Sequence, residues 1–104
     1  MFVAVRRYEV QEPAAVGEIM KRVREEFLPM ISSAPGFVDY YCYDCREAGR
    51  TIITSISLFE TTLGADESSR MATMWAERHL SGLVRTPPEI SAGEVKAHSR
   101  VMVG

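Results

Sequence analysis

The sequence is poor in several features that mark particular classes of protein. It has no apolar run of the roughly 20 residues that a bilayer-spanning helix needs. Its formal net charge of −2 over 104 residues is too small to attract nucleic acid or a membrane surface at long range. It contains no asparagine, which excludes any active site that depends on an asparagine side chain. These absences predict that neither a nucleic acid nor a membrane is a partner.

The N-terminal segment and the overall size lead to two further expectations. Residues 1–7 place their two arginines after the apolar stretch, whereas a secretory signal places its charges before that stretch. We therefore expect a first β-strand at this position and a cytoplasmic protein. A length of 104 residues is typical of one hydrophobic core, so residues 1–104 are predicted to form a single domain.

Cysteine is scarce, and the two that are present, Cys42 and Cys45, form a C-x-x-C pair. A redox pair of this spacing belongs where a strand gives way to a helix, because the helix N-terminus activates the thiol. Here the pair closes a predicted strand, in which residues three apart point to opposite faces. A zinc site would need further ligands, and the sequence has only two histidines. The pattern favours two reduced thiols and no metal site.

What the sequence does contain is an alternation of two periodicities. Runs of period two predict strands, and apolar stripes of helical spacing predict helices. The predicted segments are a strand over Phe2–Val10, a helix from Pro13, strands over Phe37–Cys45 and Thr51–Glu60, a helix from about Glu67 to His79 or Leu80 with Asp66 as its N-cap, and a strand over Glu94–Val101. This β-α-β-β-α-β order is typical of the α+β ferredoxin-like fold, a four-stranded antiparallel sheet with both helices on one face.

Both faces of the predicted sheet are apolar. The third strand places Ile52, Ile56 and Leu58 on one face, and Ile53 and Phe59 on the other. Helices cover only one face, and soluble monomers rarely expose a large apolar patch. We therefore predict a homodimer in which two copies pack sheet against sheet. A monomer with an apolar sheet face is the alternative.

The second helix places Trp75 and His79 on one buried face, one turn apart. The residues around them on this face are small: Ser68, Ala72 and Ala76. Two rings beside small side chains predict a cavity between helix and sheet, with Trp75 as a flat wall and His79 as a general base. Further lining residues are predicted to be Phe27, Tyr8 and Tyr41. The alternative is an ordinary core without a cavity.

The remaining charged groups are predicted to lie at the surface. Arg6 and Arg7 form one of two basic clusters, and solvent exposure is the expectation for both residues. His98 alternates with charged neighbours, which favours a solvent-exposed or interface position. The stretch from Arg50 to Ile56 lacks the aromatic platform of an RNA-recognition strand.

Four segments together carry a resemblance to a known family. They are Pro35-Gly36-Phe37, the strand end Ser57-Leu58-Phe59-Glu60, the helix from Ala65 to Trp75, and the tail from Pro87 to Val95. With these segments the chain resembles the antibiotic-biosynthesis-monooxygenase-like group of dimeric α/β-barrel proteins. The resemblance implies a dimer whose two sheets close into a barrel, and a pocket between helices and sheet in each subunit.

The same resemblance implies two kinds of chemistry. Members of the group include cofactor-free oxygenases of polycyclic phenols and haem-degrading enzymes. The haem-degrading branch uses an asparagine together with a tryptophan and a histidine, and the absence of asparagine argues against it. We therefore expect a cofactor-independent monooxygenase of a phenol or hydroquinone, with His79 as base, Arg78 as a possible stabiliser of the substrate anion, and no cofactor. The alternative is a non-catalytic homodimer that binds a small ligand or serves as a scaffold.

Overall fold

The computed structural model describes residues 1–100, in which four strands form one sheet. The elements are β1 (Phe2–Glu9), a 3-10 turn (Pro13–Ala15), α1 (Val16–Arg22), a π-helical turn (Val23–Phe27), α2 (Leu28–Ser32), β2 (Phe37–Glu47), β3 (Arg50–Phe59), α3 (Thr62–His79) and β4 (Glu89–Glu94). The strand order is β2-β3-β1-β4, and every neighbouring pair is antiparallel. The predicted ferredoxin-like fold is confirmed. Within residues 1–100, no helix combines the length and the apolar character needed to cross a bilayer.

The first helical segment continues past a proline because it changes its hydrogen-bonding pattern there. The amide of Leu28 donates to the carbonyl of Val23, five residues back, which defines the π-helical turn. In a regular α-helix the ring of Pro29 would clash with the carbonyl four residues before it. The wider turn accommodates Pro29, and α2 then runs on to Ser32. The turn also carries the buried side chains of Val23 and Phe27 toward the sheet.

The helix α3 begins earlier than the sequence predicts. Thr61 is its N-cap, and the Thr61 hydroxyl oxygen accepts a hydrogen bond from the amide of Gly64 at 3.0 Å. The prediction of Asp66 as the cap is therefore wrong. Gly64 allows the early start, because its Cα lies against the ring of Phe59 at the end of β3.

We expect Gly64→Ala to destabilise the fold by about 1–3 kcal/mol, the usual cost of overpacking a core. A Cβ at this position would lie 2.7 Å from Cδ1 of Phe59, whose side chain is buried and has no room to move aside. The matched control is Gly17→Ala in α1, where an added Cβ meets nothing within 4 Å. Urea denaturation should show a loss for Gly64→Ala and no loss for Gly17→Ala. Equal midpoints for the two variants would contradict the close approach of α3 to Phe59.

The last strand lies five residues before the predicted position. β4 spans Glu89–Glu94 and pairs with β1, with Ala92 opposite Ala4. Residues 95–100 form no strand, and Val101 of the predicted strand lies outside the described residues. The prediction failed because β4 is an edge strand whose six residues are all exposed, so its small and charged side chains do not alternate. His98 is exposed, as expected.

The two faces of the sheet differ in what covers them. One face packs against the helices and carries the hydrophobic core, which includes Tyr8, Ile53 and Phe59. The opposite face, called here the outer face, carries apolar side chains that stay partly exposed in the single chain: Val3, Val5, Tyr41, Tyr43, Ile56 and Leu58. The prediction of a sheet with two apolar faces is confirmed.

A β-bulge at the start of β2 decides which side chains face the helices. Phe37 pairs with Phe59, but Asp39 pairs with the next residue of β3, so that Val38 is the extra residue. After this shift Tyr40 and Cys42 face the helices. Cys45 then points to the outer face, so the two thiols diverge as predicted, and both are free. Among residues 1–100 no three His, Cys, Asp or Glu side chains are grouped as a metal ion requires.

Candidate active site

A small, partly open space, called here the aromatic cavity, lies between the helices and the sheet. Its volume is about 20 Å³, enough for about one water molecule. The ring centroid of Phe27 lies 5.6 Å from that of Tyr40 and 5.3 Å from that of Trp75. The lining residues are Tyr8, Ile19, Val23, Phe27, Tyr40, Cys42, Ile53, Ser55, Ala72, Trp75, Ala76, Leu80 and Val84. The cavity is therefore apolar and aromatic, with a few hydroxyl and thiol groups in its wall.

Three elements bring the predicted wall residues together. Tyr8 projects from β1, Phe27 from the π-helical turn and Trp75 from α3, and all three line the cavity. Of the three small residues predicted beside Trp75, Ala72 and Ala76 complete the α3 side of the wall, whereas Ser68 does not line the cavity. Three of the aromatic lining residues, Tyr8, Phe27 and Trp75, were therefore predicted from the sequence.

Tyr41 does not line the cavity. Its side chain is 55% exposed and lies on the outer face, opposite Ile56. The prediction assumed regular alternation from Phe37, which would place Tyr41 on the helix side. The extra residue at Val38 reverses the alternation, and Tyr40 takes that position.

His79 lies at the C-terminal end of α3, next to the cavity but not in its lining. Its imidazole centroid is 5.4 Å from the ring of Trp75, and its Nδ1 is 3.7 Å from a carboxylate oxygen of Glu26. The side chain is 43% exposed, so the prediction that His79 lies on a buried face with Trp75 is wrong. Arg78, on the neighbouring position of the helix, is exposed. The role of His79 as a general base therefore stays a prediction.

Arg6 is the functional candidate that sequence reasoning missed. The prediction of a solvent-exposed Arg6 is wrong, because the side chain is 0% exposed and lies under α3. Its Nη1 donates to the hydroxyl of Ser57 at 3.0 Å, and its Nη2 donates to the hydroxyl of Ser55 at 2.9 Å. Longer hydrogen bonds of 3.4 and 3.3 Å reach Ser68 and Ser69 on α3. No ion pair within residues 1–100 involves Arg6.

The sequence did contain a signal for this burial. Ala4, Arg6, Tyr8 and Val10 share one face of the period-two run, and the other three are apolar or aromatic. The sequence analysis nevertheless predicted an exposed Arg6, because arginine is almost never fully buried without a partner.

Burial shifts the pKa of Arg6 and of the titratable groups that line the cavity. It raises the pKa of Tyr8 to about 12, and it raises the pKa of Tyr40 and of the Cys42 thiol. It lowers the pKa of Arg6, which as an arginine keeps its proton. At neutral pH the wall therefore presents a cation and three protonated groups.

Two buried donors around the cavity have no hydrogen-bond acceptor in the described part of the chain. They are the Tyr8 hydroxyl and Nε of Arg6. A buried polar group without a partner costs about 1–3 kcal/mol. Such groups are uncommon in folded proteins and call for an explanation, of which a role in function is one.

Comparisons with known proteins support the fold. No protein-family model matches the sequence, and no curated protein sequence matches it. Solved structures match over nearly the whole chain. One is a monooxygenase of Streptomyces coelicolor, ActVA-Orf6, in complex with nanaomycin D; it is 17% identical, with a TM-score of 0.67 over 97% of this chain and 92% of that one. The chain has the same ferredoxin-like fold as this structure.

Two further structures share this fold. SnoaB, a cofactor-independent oxygenase from Streptomyces nogalater, is 15% identical, with a TM-score of 0.64 over 93% of this chain and 94% of that one. A dimeric ferredoxin-like protein from an uncultured marine organism is 10% identical, with a TM-score of 0.70 over 97% of this chain and 100% of that one. At these identities the likeness establishes the fold, and activity has to be argued from the site.

Proposed function

We propose that the protein is a cofactor-independent monooxygenase that acts on a phenol or hydroquinone bound in the aromatic cavity. The observation that carries the proposal is the cavity itself, whose wall contains the rings of Tyr8, Phe27, Tyr40 and Trp75. Flat apolar rings are the walls that an aromatic ligand packs against. The fold shared with two oxygenases adds support.

Substrate entry requires the cavity to widen. A space for about one water molecule does not hold an aromatic ring. The wall contains the side chain of Trp75, which packs against the imidazole of the half-exposed His79. In this proposal the substrate ring displaces Trp75 and then stacks between the aromatic walls.

The reaction needs little from the protein, because the substrate supplies the electrons. The substrate loses a phenolic proton, and its anion reduces dioxygen and combines with it at a ring carbon. Loss of water from the resulting hydroperoxide leaves a quinone carbonyl. One oxygen atom thus enters the product, the other leaves as water, and the substrate provides all four electrons. The protein's tasks are to accept a proton, stabilise the anion and exclude bulk water.

In this proposal His79 accepts the phenolic proton at the edge of the cavity. Its imidazole lies against the ring of Trp75, and its Nδ1 lies 3.7 Å from a carboxylate oxygen of Glu26. The partly exposed side chain can pass the proton on to solvent.

We expect oxygen uptake with a panel of dihydroquinones, and we expect His79→Ala to lower it about 100-fold at neutral pH. The loss should shrink as the pH rises above the substrate's own pKa, because the substrate then ionises without a base. The matched control is His98→Ala, which removes the other histidine at an exposed position away from the cavity. Equal rates for His79→Ala and wild type would remove His79 from the mechanism. Absence of uptake with every substrate would contradict the proposed activity.

We also infer that two copies associate through the outer face. The partly exposed side chains of Val5, Tyr41 and Ile56 form the centre of an apolar patch that no helix covers. A second copy of the same face would bury this patch in an isologous interface. The dimeric state of one structure with the same fold supports this arrangement.

A non-catalytic ligand-binding dimer is the second candidate function. The absence of any carboxylate or histidine from the lining residues favours it. Oxygen uptake, measured together with the fluorescence of Trp75, the only tryptophan, separates the two candidates. A binding protein would show quenching by aromatic ligands without any oxygen uptake, whereas the monooxygenase would show both.

A further inference from the structure

Within residues 1–100, the positive charge of Arg6 has no negative partner. Its side chain is completely buried, and the acceptors of its hydrogen bonds are neutral serine hydroxyls. Its neighbour Arg7, on the outer face, pairs with the carboxylate of Glu47 instead. Burial of a cation without an anion is strongly unfavourable. Packing alone therefore does not explain why an arginine is buried at position 6.

The serines around Arg6 do not supply that reason. Ser57 and Ser68 share a hydrogen bond of 2.8 Å, and Ser68 also donates to the carbonyl of Ala65 at 2.6 Å. Ser55 shares a hydrogen bond of 2.7 Å with the Tyr40 hydroxyl. These hydroxyls thus have partners without Arg6. Their oxygen atoms hold the guanidinium in one orientation but do not neutralise it.

The guanidinium stands directly behind one wall of the aromatic cavity. Ser55, which accepts from Nη2 of Arg6, is itself a lining residue. Tyr40 and Tyr8 line the same space, and the Tyr8 hydroxyl, whose polar side-chain neighbour is Thr73, makes no hydrogen bond of ordinary geometry within residues 1–100. The titratable groups that face Arg6 are Tyr8, Tyr40 and Cys42, and burial keeps all three protonated. This wall therefore offers donors and positive charge, and none of its lining residues is a carboxylate.

We propose that this wall is an oxyanion subsite, which holds the aromatic ligand by an anionic oxygen on its ring. Arg6 is the counter-ion of that oxygen, and the Tyr8 hydroxyl donates a hydrogen bond to it. The oxygen belongs to a phenolate or to a ring carboxylate, which share this chemistry. The inference rests on the proposed function, because the ring itself occupies the aromatic cavity. It adds that the ionised form of the ligand binds more tightly than the neutral form, so Arg6 makes a bound phenol a stronger acid.

Calorimetric titration with matched ligands tests the inference. The probes are 2-naphthoate, its neutral analogue 2-naphthamide, and 2-naphthol over a range of pH. For wild type we expect 2-naphthoate to bind at least about 10-fold more tightly than 2-naphthamide, since a charged group paired in a dry site strengthens binding. Binding of 2-naphthol should tighten as the pH rises through its own pKa. A preference for 2-naphthoate alone would assign a carboxylate, and tighter binding of ionised 2-naphthol alone would assign a phenolate.

Two variants connect the preference to one side chain. Arg6→Gln should remove the preference for 2-naphthoate, and Arg6→Lys should retain part of it. Arg7→Gln is the matched control, because it removes the same charge from the outer face of the same strand. A preference that survives in Arg6→Gln would overturn the inference.

The wild-type measurements keep the inference falsifiable even if Arg6→Gln does not fold. Equal affinity for 2-naphthoate and 2-naphthamide, together with binding of 2-naphthol that does not change with pH, would overturn the oxyanion subsite and leave the aromatic cavity in place. Failure of all three ligands to bind would contradict the proposed function as well as this inference.

Discussion

The Arg6→Met variant is expected to be more stable than the wild-type protein, by about 1–4 kcal/mol. Methionine fills much of the same volume without bringing a charge into a fully buried position. The serine hydroxyls that lose the guanidinium keep other partners, as the 2.8 Å contact between Ser57 and Ser68 shows. The substitution therefore removes a desolvated cation and leaves no new buried donor unpaired. Chemical denaturation monitored by circular dichroism measures the difference.

The control for this prediction is Arg7→Met. Arg7 lies on the outer face and forms a partly exposed ion pair with Glu47, and exposed pairs contribute about 1 kcal/mol or less. Arg7→Met should therefore change the stability little and in the unfavourable direction. A large loss of stability in Arg6→Met would contradict the prediction, because it would show that the guanidinium holds α3 to the sheet. A gain together with lost ligand binding would show that the protein retains Arg6 for function at the expense of stability.

The Ile56→Asp variant is expected to weaken the proposed dimer at least about 100-fold. Ile56 is central in the outer face, between Val5 of β1 and Tyr41 of β2. In an isologous interface each substitution occurs twice, so two carboxylates would be buried without counter-ions. Sedimentation velocity at micromolar concentration should show the wild type as a dimer of the 11.6 kDa chain and the variant as a monomer.

Met74→Asp is the matched control for the dimer. Met74 is an exposed apolar residue of α3, on the side of the molecule away from the outer face, so the same charge is added outside the proposed interface. This variant should remain dimeric. A wild-type protein that sediments as a monomer at micromolar concentration would reject the association through the outer face. Dissociation of both variants to the same extent would point to a different interface.

The order of the elements could be predicted from the sequence because the buried faces of helices and strands impose different periods. The stripe that contains Ile19 and Phe27 and the dense β-branched run of β3 are both sharp patterns. The short edge strand β4 gives no such pattern, since none of its residues is buried. The start of α3 was also missed, because the close packing of Gly64 on Phe59 depends on a contact between two elements.

In the candidate site, too, the features that depend on contacts between different elements could not be predicted from the sequence. Trp75, Phe27 and Tyr8 could be predicted as wall residues because each lies on the buried face of its own element. Arg6 also lies on the buried face of its strand, but its burial was not predicted because a charged side chain is expected to be exposed. The buried guanidinium of Arg6 donates hydrogen bonds to serine hydroxyls of β3 and α3, and these hydroxyls come together only in the folded chain. Spacing along the sequence does not reveal that arrangement.

The extra residue at Val38 also determines the electrostatic character of the cavity. If β2 alternated regularly from Phe37, Asp39 would stand opposite Ser57 on the helix side, beside the guanidinium of Arg6. The carboxylate would then neutralise the arginine, and the wall would select uncharged molecules. With the bulge in place, Asp39 is turned toward the other side of the sheet, opposite Leu58. A single irregularity in β2, distant along the chain from both Arg6 and Trp75, thus keeps a carboxylate away from the buried guanidinium.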